Sequence, residues 1–174
     1  MCDITNGIDK RCNSGQGGNA ELYLFNFEPD QFTIVDGEAT AVNANLTEVW
    51  SFYIKGDGNT LSAPLLVDAK LGSSVCTQTL VAQFNGTSAP KSNQLTMAAQ
   101  GHAGAVLKDR DGNYHLLGHE VGFNVSTTIE EVTGGARGDF YGYNGTFIGE
   151  TKILPPKLDA ATATAFLALV VANS

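Results

Sequence analysis

The segment 101–151 constrains the fold more than any other part of the chain; it reads GHAGAVLKDRDGNYHLLGHEVGFNVSTTIEEVTGGARGDFYGYNGTFIGET. Two apolar runs, 103–107 and 114–117, flank the polar stretch Lys108-Asp109-Arg110-Asp111-Gly112-Asn113. Asp-Gly between strand-like runs is a hairpin signal, because glycine supplies the positive φ that tight hairpin turns require. A further strand-like run follows, then a glycine-rich break, then a long alternating stretch over 138–152. Strand side chains alternate between faces, which puts Phe140, Gly142, Asn144, Thr146 and Ile148 on one side and Tyr141, Tyr143, Gly145 and Phe147 on the other. The aromatic side is expected in the core. The order as a whole predicts an antiparallel β-meander.

Upstream, Glu21-Leu22-Tyr23-Leu24-Phe25-Asn26-Phe27 reads as a strand ended by Glu28-Pro29-Asp30. Residues 32–35, 49–54 and 75–84 are rich in β-branched and aromatic residues and predict further strands. Residues 61–71 are mixed, and Pro64 suits an edge or extended segment. Residues 91–100 predict a helix. Ser92 can cap it, Leu95, Ala98 and Ala99 share one face, and Gly101 supplies its end. Residues 159–173 alternate like a strand, yet Asp159 followed by an alanine-rich run favours a helix. Three regions result: an extended N-terminal arm over 1–20, a β-sandwich domain over 21–157, and an apolar C-terminal segment over 158–174. The fold class is mainly β (α+β): an antiparallel β-sandwich or barrel-like sheet with one flanking helix.

With 174 residues, the chain is sized for one domain and one sizeable core. Its 20 glycines and 16% charged residues suit a β-rich protein with many tight turns. No apolar run approaches the ~20 residues of a membrane span. The start, Met-Cys-Asp-Ile-Thr-Asn, has neither a basic nor an apolar region, so no signal peptide is expected. Three cysteines, Cys2, Cys12 and Cys76, then point to free thiols in a reducing compartment, although Cys2 and Cys12 can bridge if the arm folds back. The formal charge of −8 argues against DNA binding by counterion release. It keeps the protein soluble, and it would also let DNA slide past without adhesion.

The candidates for chemistry are few. His115 and His119 have the i, i+4 spacing that binds metal on a helix, but on a strand they lie roughly 13 Å apart. His102, near a helix end, is expected to face solvent. Asp109-Arg110-Asp111-Gly112-Asn113 echoes part of a calcium loop without its distal glutamate, and the hairpin explains the same residues. Glu130 and Glu131 are adjacent and point apart, which does not suit shared acid–base work. Arg137-Gly138-Asp139 spells a cell-adhesion tripeptide that a glycine-rich turn also explains. Sequons at Asn45, Asn85, Asn124 and Asn144 carry no weight without a secretory signal. No Ser-His-Asp set, P-loop or dinucleotide fingerprint is present. Neither catalytic, cofactor-binding nor metal residues are assigned, and no enzyme activity is expected.

Three patches resemble the virion structural proteins of tailed phages, especially phages of Bacteroidetes-type hosts. The first is Cys2-Asp3-Ile4-Thr5 with Cys12, then Gly17-Gly18 leading into Glu21-Leu22-Tyr23-Leu24. The second runs from Val106 through Asp109-Arg110-Asp111-Gly112-Asn113-Tyr114-His115 to Gly118. The third runs from Thr133-Gly134-Gly135-Ala136-Arg137-Gly138-Asp139 to Thr146. In layout the likeness covers most of the chain. It implies a tail-tube-like β-sandwich that stacks as hexameric or dodecameric rings, in a tail tube or neck, around a passage for DNA. The expected partners are further copies of the chain and other tail, neck or portal proteins, with no membrane. The expected location is the virion, after assembly in the host cytoplasm. Residues 160–172 exceed a minimal tube subunit and leave room for a neck-ring or capsid-associated role. Two alternatives remain open: a capsid decoration protein, and a small β-sandwich binding module with Trp50, Phe52, Tyr141 and Tyr143 as an aromatic platform.

Overall fold

Strand β1 (Asn19–Asn26) organises the molecule because its apolar run is buried on both faces. Leu22 and Leu24 enter one core, and Tyr23 and Phe25 enter another. A strand buried on both sides must sit inside a sheet with a layer above and below it. The computed structural model describes residues 15–54, 56–68 and 70–172, together with Gly7. Cys2, Cys12 and most of the expected N-terminal arm lie outside the described residues.

The described residues form a larger and a smaller sheet. The larger also contains β2 (Phe32–Val35), β3 (Glu38–Val42), β4 (Val49–Phe52), β8 (Ala103–Asp109), β9 (Tyr114–Leu117), β12 (Lys157–Leu158) and β13 (Val170–Val171). Its order is β13-β4-β1-β8-β9-β12-β3-β2. The smaller is built on the 13-residue β7 (Ser73–Asn85), flanked by β11 (Gly142–Thr151) and by β5 (Thr60–Ser62) and β6 (Leu65–Asp68), with β10 (Ser126–Val132) beyond β11. The first core lies between the sheets, where Leu80, Ala82, Phe84, Tyr143 and Phe147 meet Leu22, Leu24, Ala105, Leu107 and Leu117. The protein is thus a β-sandwich, as the sequence predicts. The alternating 142–151 strand buries Tyr143 and Phe147 on the expected side.

Among the described residues two helices flank the sheets, the one expected beside the sandwich and the one favoured over 159–173. Helix α1 (Ala89–Gln100) starts earlier than residue 91: Ser88, not Ser92, is its cap, with Oγ accepting from the Lys91 amide at 3.4 Å. Pro90 falls in the first turn, where its missing N–H costs nothing. Leu95 enters the first core and Ala98 packs beside it. The second helix, α2 (Ala160–Leu167), is capped by Asp159, whose carboxylate accepts from the Thr162 amide at 2.6 Å. Chain 159–173 therefore holds both predicted states in turn, a helix and then the short parallel strand β13. Phe166 of α2 is fully buried in the second core, edge-on to Tyr23 with ring centroids 5.7 Å apart. Within the segment 158–174, expected from the sequence to serve contacts between subunits, Leu158, Ala163 and Phe166 pack into the second core of their own chain.

The meander takes a different form from the one expected. Segment 101–151 makes two hairpins, β8–β9 in the larger sheet and β10–β11 in the smaller. Between them Gly118 (φ +65°) and Gly122 (φ +68°) close a turn, the Gly122 amide donating to the Gly118 carbonyl at 2.9 Å. Positive φ at both positions is open to glycine at little cost. Buried Gln78 of β7 fastens this crossing: its Oε1 accepts from the Gly118 amide at 2.9 Å and its Nε2 donates to Thr151 Oγ1 at 3.0 Å. Both ends of a buried amide are thereby satisfied across the two sheets. No helix among the described residues is long and apolar enough to cross a membrane.

Candidate assembly surface

Strand β7 outruns its neighbour. Pairing with β11 ends at Cys76–Thr151, so Ser73, Ser74 and Val75 pair with β6 alone, opposite Asp68, Val67 and Leu66. A two-stranded hairpin projects from the smaller sheet at this end. Asp68 shapes its turn, with Oδ1 accepting from the amides of Lys70 at 2.8 Å and Leu71 at 3.1 Å, while the Gly72 amide donates to the Asp68 carbonyl. The strands carry Leu65, Leu66 and Val67 at 43, 69 and 62% exposure, and the turn presents Leu71 at 80%. A lone hairpin is marginally stable in water, and an exposed apolar strand at a sheet edge templates pairing with another chain. Leu65 and Val67 lie on one face of β6 and Leu66 on the other, so aliphatic side chains face water on both sides of the hairpin, with Leu65 at its base opposite Cys76. Exposure of this kind marks an interaction site.

A second apolar feature lies at the opposite end of β7. There β4, α1 and β13 enclose a groove of about 510 Å³ lined by Trp50, Phe52, Tyr53, Phe84, Leu95 and Val171, among others. Tyr53 is 74% exposed. Phe52 is fixed edge-on to Phe84 with centroids 5.8 Å apart, so the floor of the groove belongs to the core. Lys91 stands at the rim, its ammonium held by the Asn85 carbonyl at 2.8 Å. Of the four aromatic residues singled out in the sequence, Trp50 and Phe52 line this groove, Tyr143 is buried, and Tyr141 is half-exposed and hydrogen-bonded to Thr87. They do not form one exposed platform.

The titratable candidates take structural places. Asp109 closes the β8–β9 hairpin: Oδ1 accepts from the Asn113 amide at 2.8 Å, and Oδ2 lies 2.9 Å from Asn113 Nδ2 and 3.0 Å from His115 Nε2. Burial would raise its pKa, but these Asn113 and His115 contacts outweigh it and hold the carboxyl below its ordinary range. His119 is elsewhere, in the turn between the sheets, with Nε2 3.7 Å from Glu120 Oε1 and a buried Nδ1 without a hydrogen-bond partner. Burial pulls its pKa down, against a smaller opposing effect of Glu120. Among the described residues no three His, Cys, Asp or Glu side chains converge to hold a metal. Glu130 and Glu131 are exposed on β10, and His102 is exposed after α1. Asp139 Oδ2 accepts from the amides of Gly135 and Ala136 at 2.8 and 2.7 Å, and these bonds depress its pKa, which makes Arg137-Gly138-Asp139 part of a self-bonded turn. Cys76 is buried, and burial raises its thiol pKa.

The aliphatic hairpin was not singled out in the sequence. Its signal was three successive large apolar residues, Leu65-Leu66-Val67, directly after a proline that breaks the preceding strand. Comparison of the chain with protein-family models, with curated proteins and with solved structures found no match.

Proposed function

We propose that this protein is a non-catalytic structural subunit of a tailed-phage virion, which assembles with copies of itself into rings or a tube of the tail or neck around the passage for DNA. The observation that carries the self-assembly is the projecting β6–β7 hairpin, with Leu65, Leu66, Val67 and Leu71 turned to water. A subunit that stays alone gains nothing from such a surface, whereas a subunit in an assembly buries it. The likeness of the three sequence patches to tail-tube and neck proteins supplies the setting. The charge of −8 fits a lumen through which a polyanion moves without sticking. Size-exclusion chromatography with negative-stain electron microscopy tests this reading. Rings or tubes with a central channel are expected; a strictly monomeric protein would sink it, and closed trimers without a lumen would move it to the capsid surface.

A binding module is the second reading, favoured by the Trp50, Phe52 and Tyr53 groove. It requires glycan or peptide capture that Trp50→Ala abolishes while the protein remains monomeric.

A further inference from the structure

We infer that the β6–β7 hairpin of one copy docks into the Trp50–Tyr53 groove of the next, so that subunits join head to tail. This rests on the self-assembly reading and specifies its contact.

The two surfaces match in chemistry. The hairpin offers Leu65, Leu66, Val67 and Leu71, and the groove offers aromatic and aliphatic walls around about 510 Å³, a volume that takes several side chains. They cannot meet within one molecule. Leu66 stands opposite Val75, and the groove begins at Phe84, nine residues further along the same strand. At ~3.3 Å per residue the separation is about 30 Å along a rigid, fully paired strand. The hairpin therefore reaches a groove only on another copy. Two different surfaces at opposite ends of one element make a heterologous contact, which closes into a ring or continues as a filament. Asp68 and Lys70 balance on the hairpin, so the docking element brings no net charge toward a chain of charge −8. The groove's rim adds the cation Lys91.

Complementary variants test the contact. The hairpin variant is Leu66→Asp with Val67→Asp, and the groove variant is Tyr53→Asp with Gln94→Glu. All four positions are exposed, so both proteins are expected to melt like the wild type; Leu71→Asp serves as a second hairpin variant in case the first fails to fold. Each variant alone is expected to need at least about tenfold more protein than wild type to associate, a shift of roughly 1.4 kcal/mol. Mixed together, they are expected to form a one-to-one dimer and nothing larger, because one intact hairpin then meets one intact groove. A groove variant that assembles like wild type while the hairpin variant does not overturns the docking site and leaves self-assembly standing. Folded variants that ignore each other on mixing also overturn it. Wild-type protein that never associates overturns the assembly reading itself.

Discussion

His119 couples the crossing between the sheets to pH. Burial favours its neutral form and lowers its pKa from the ordinary 6.5. The unfolded chain then binds a proton at higher pH than the folded one does, so stability is full above about pH 6.5 and falls as the pH drops toward the folded pKa. Urea unfolding of the monomeric hairpin variant, which removes any contribution from association, should show lower stability at pH 5 than at pH 7. His119→Gln should flatten that difference. Glu21, bonded to Tyr23 and Lys108, and Asp109 have depressed pKa values and act lower down: their contribution holds above their ordinary 4.5 and 3.8 and is lost as pH falls through the folded values. Among the glycines of the described residues Gly142 is the most confined, since a Cβ there would lie 2.0 Å from the Phe84 carbonyl oxygen. Gly142→Ala should cost about 3 kcal/mol by displacing β7 from β11, measured by the same unfolding. At this scale the Asp-Gly hairpin turn was legible, because the chemistry of a tight turn is local. The role of Gly118 and Gly122 was not: the sequence has glycines there, but the change of sheet depends on Gln78, forty residues away.

Among the elements, α2 and the β6–β7 hairpin separate folding from assembly. Phe166 is fully buried against Tyr23, Phe25 and Phe32, so Phe166→Ala should destabilise the monomer by about 3–5 kcal/mol. A C-terminal segment that served only contacts between copies would leave monomer stability unchanged. The hairpin should behave oppositely. Leu66→Asp with Val67→Asp should alter stability by less than about 1 kcal/mol, as two exposed positions do, and should raise the concentration needed for association at least about tenfold. The long strands β1, β7 and β11 were legible because each carries an alternating or bulky apolar run. Strands β3 and β12 were missed, and β13 was read only as the less favoured alternative to a helix over 159–173, for a physical reason. They span two to five residues, and β3 is mainly small residues, Glu38-Ala39-Thr40-Ala41-Val42. They exist by distant pairing, Lys157 with Glu38 and Val170 with Val49, which local preference does not encode. The edge character of 61–71 was read from Pro64; that it would project beyond β11 follows from where the β7–β11 pairing stops.

At the scale of the whole molecule the described residues form a sandwich with two cores, sharing the larger sheet between the smaller sheet on one side and α2 on the other. Mainly β architecture was legible from composition and turns. The division of segment 101–151 between sheets was not, because two successive hairpins read the same whether they continue one sheet or cross to another. This architecture leaves one strand long enough to carry an apolar projection at one end and an apolar groove at the other, the arrangement on which the proposed head-to-tail assembly rests. Sedimentation velocity over a concentration series, run on wild type beside Leu66→Asp with Val67→Asp, tests self-assembly through the hairpin most directly. The wild type should shift to larger species as concentration rises, while the variant, equally folded, should sediment as a monomer throughout. A wild type that remains monomeric, or a variant that assembles as readily as wild type, would contradict it.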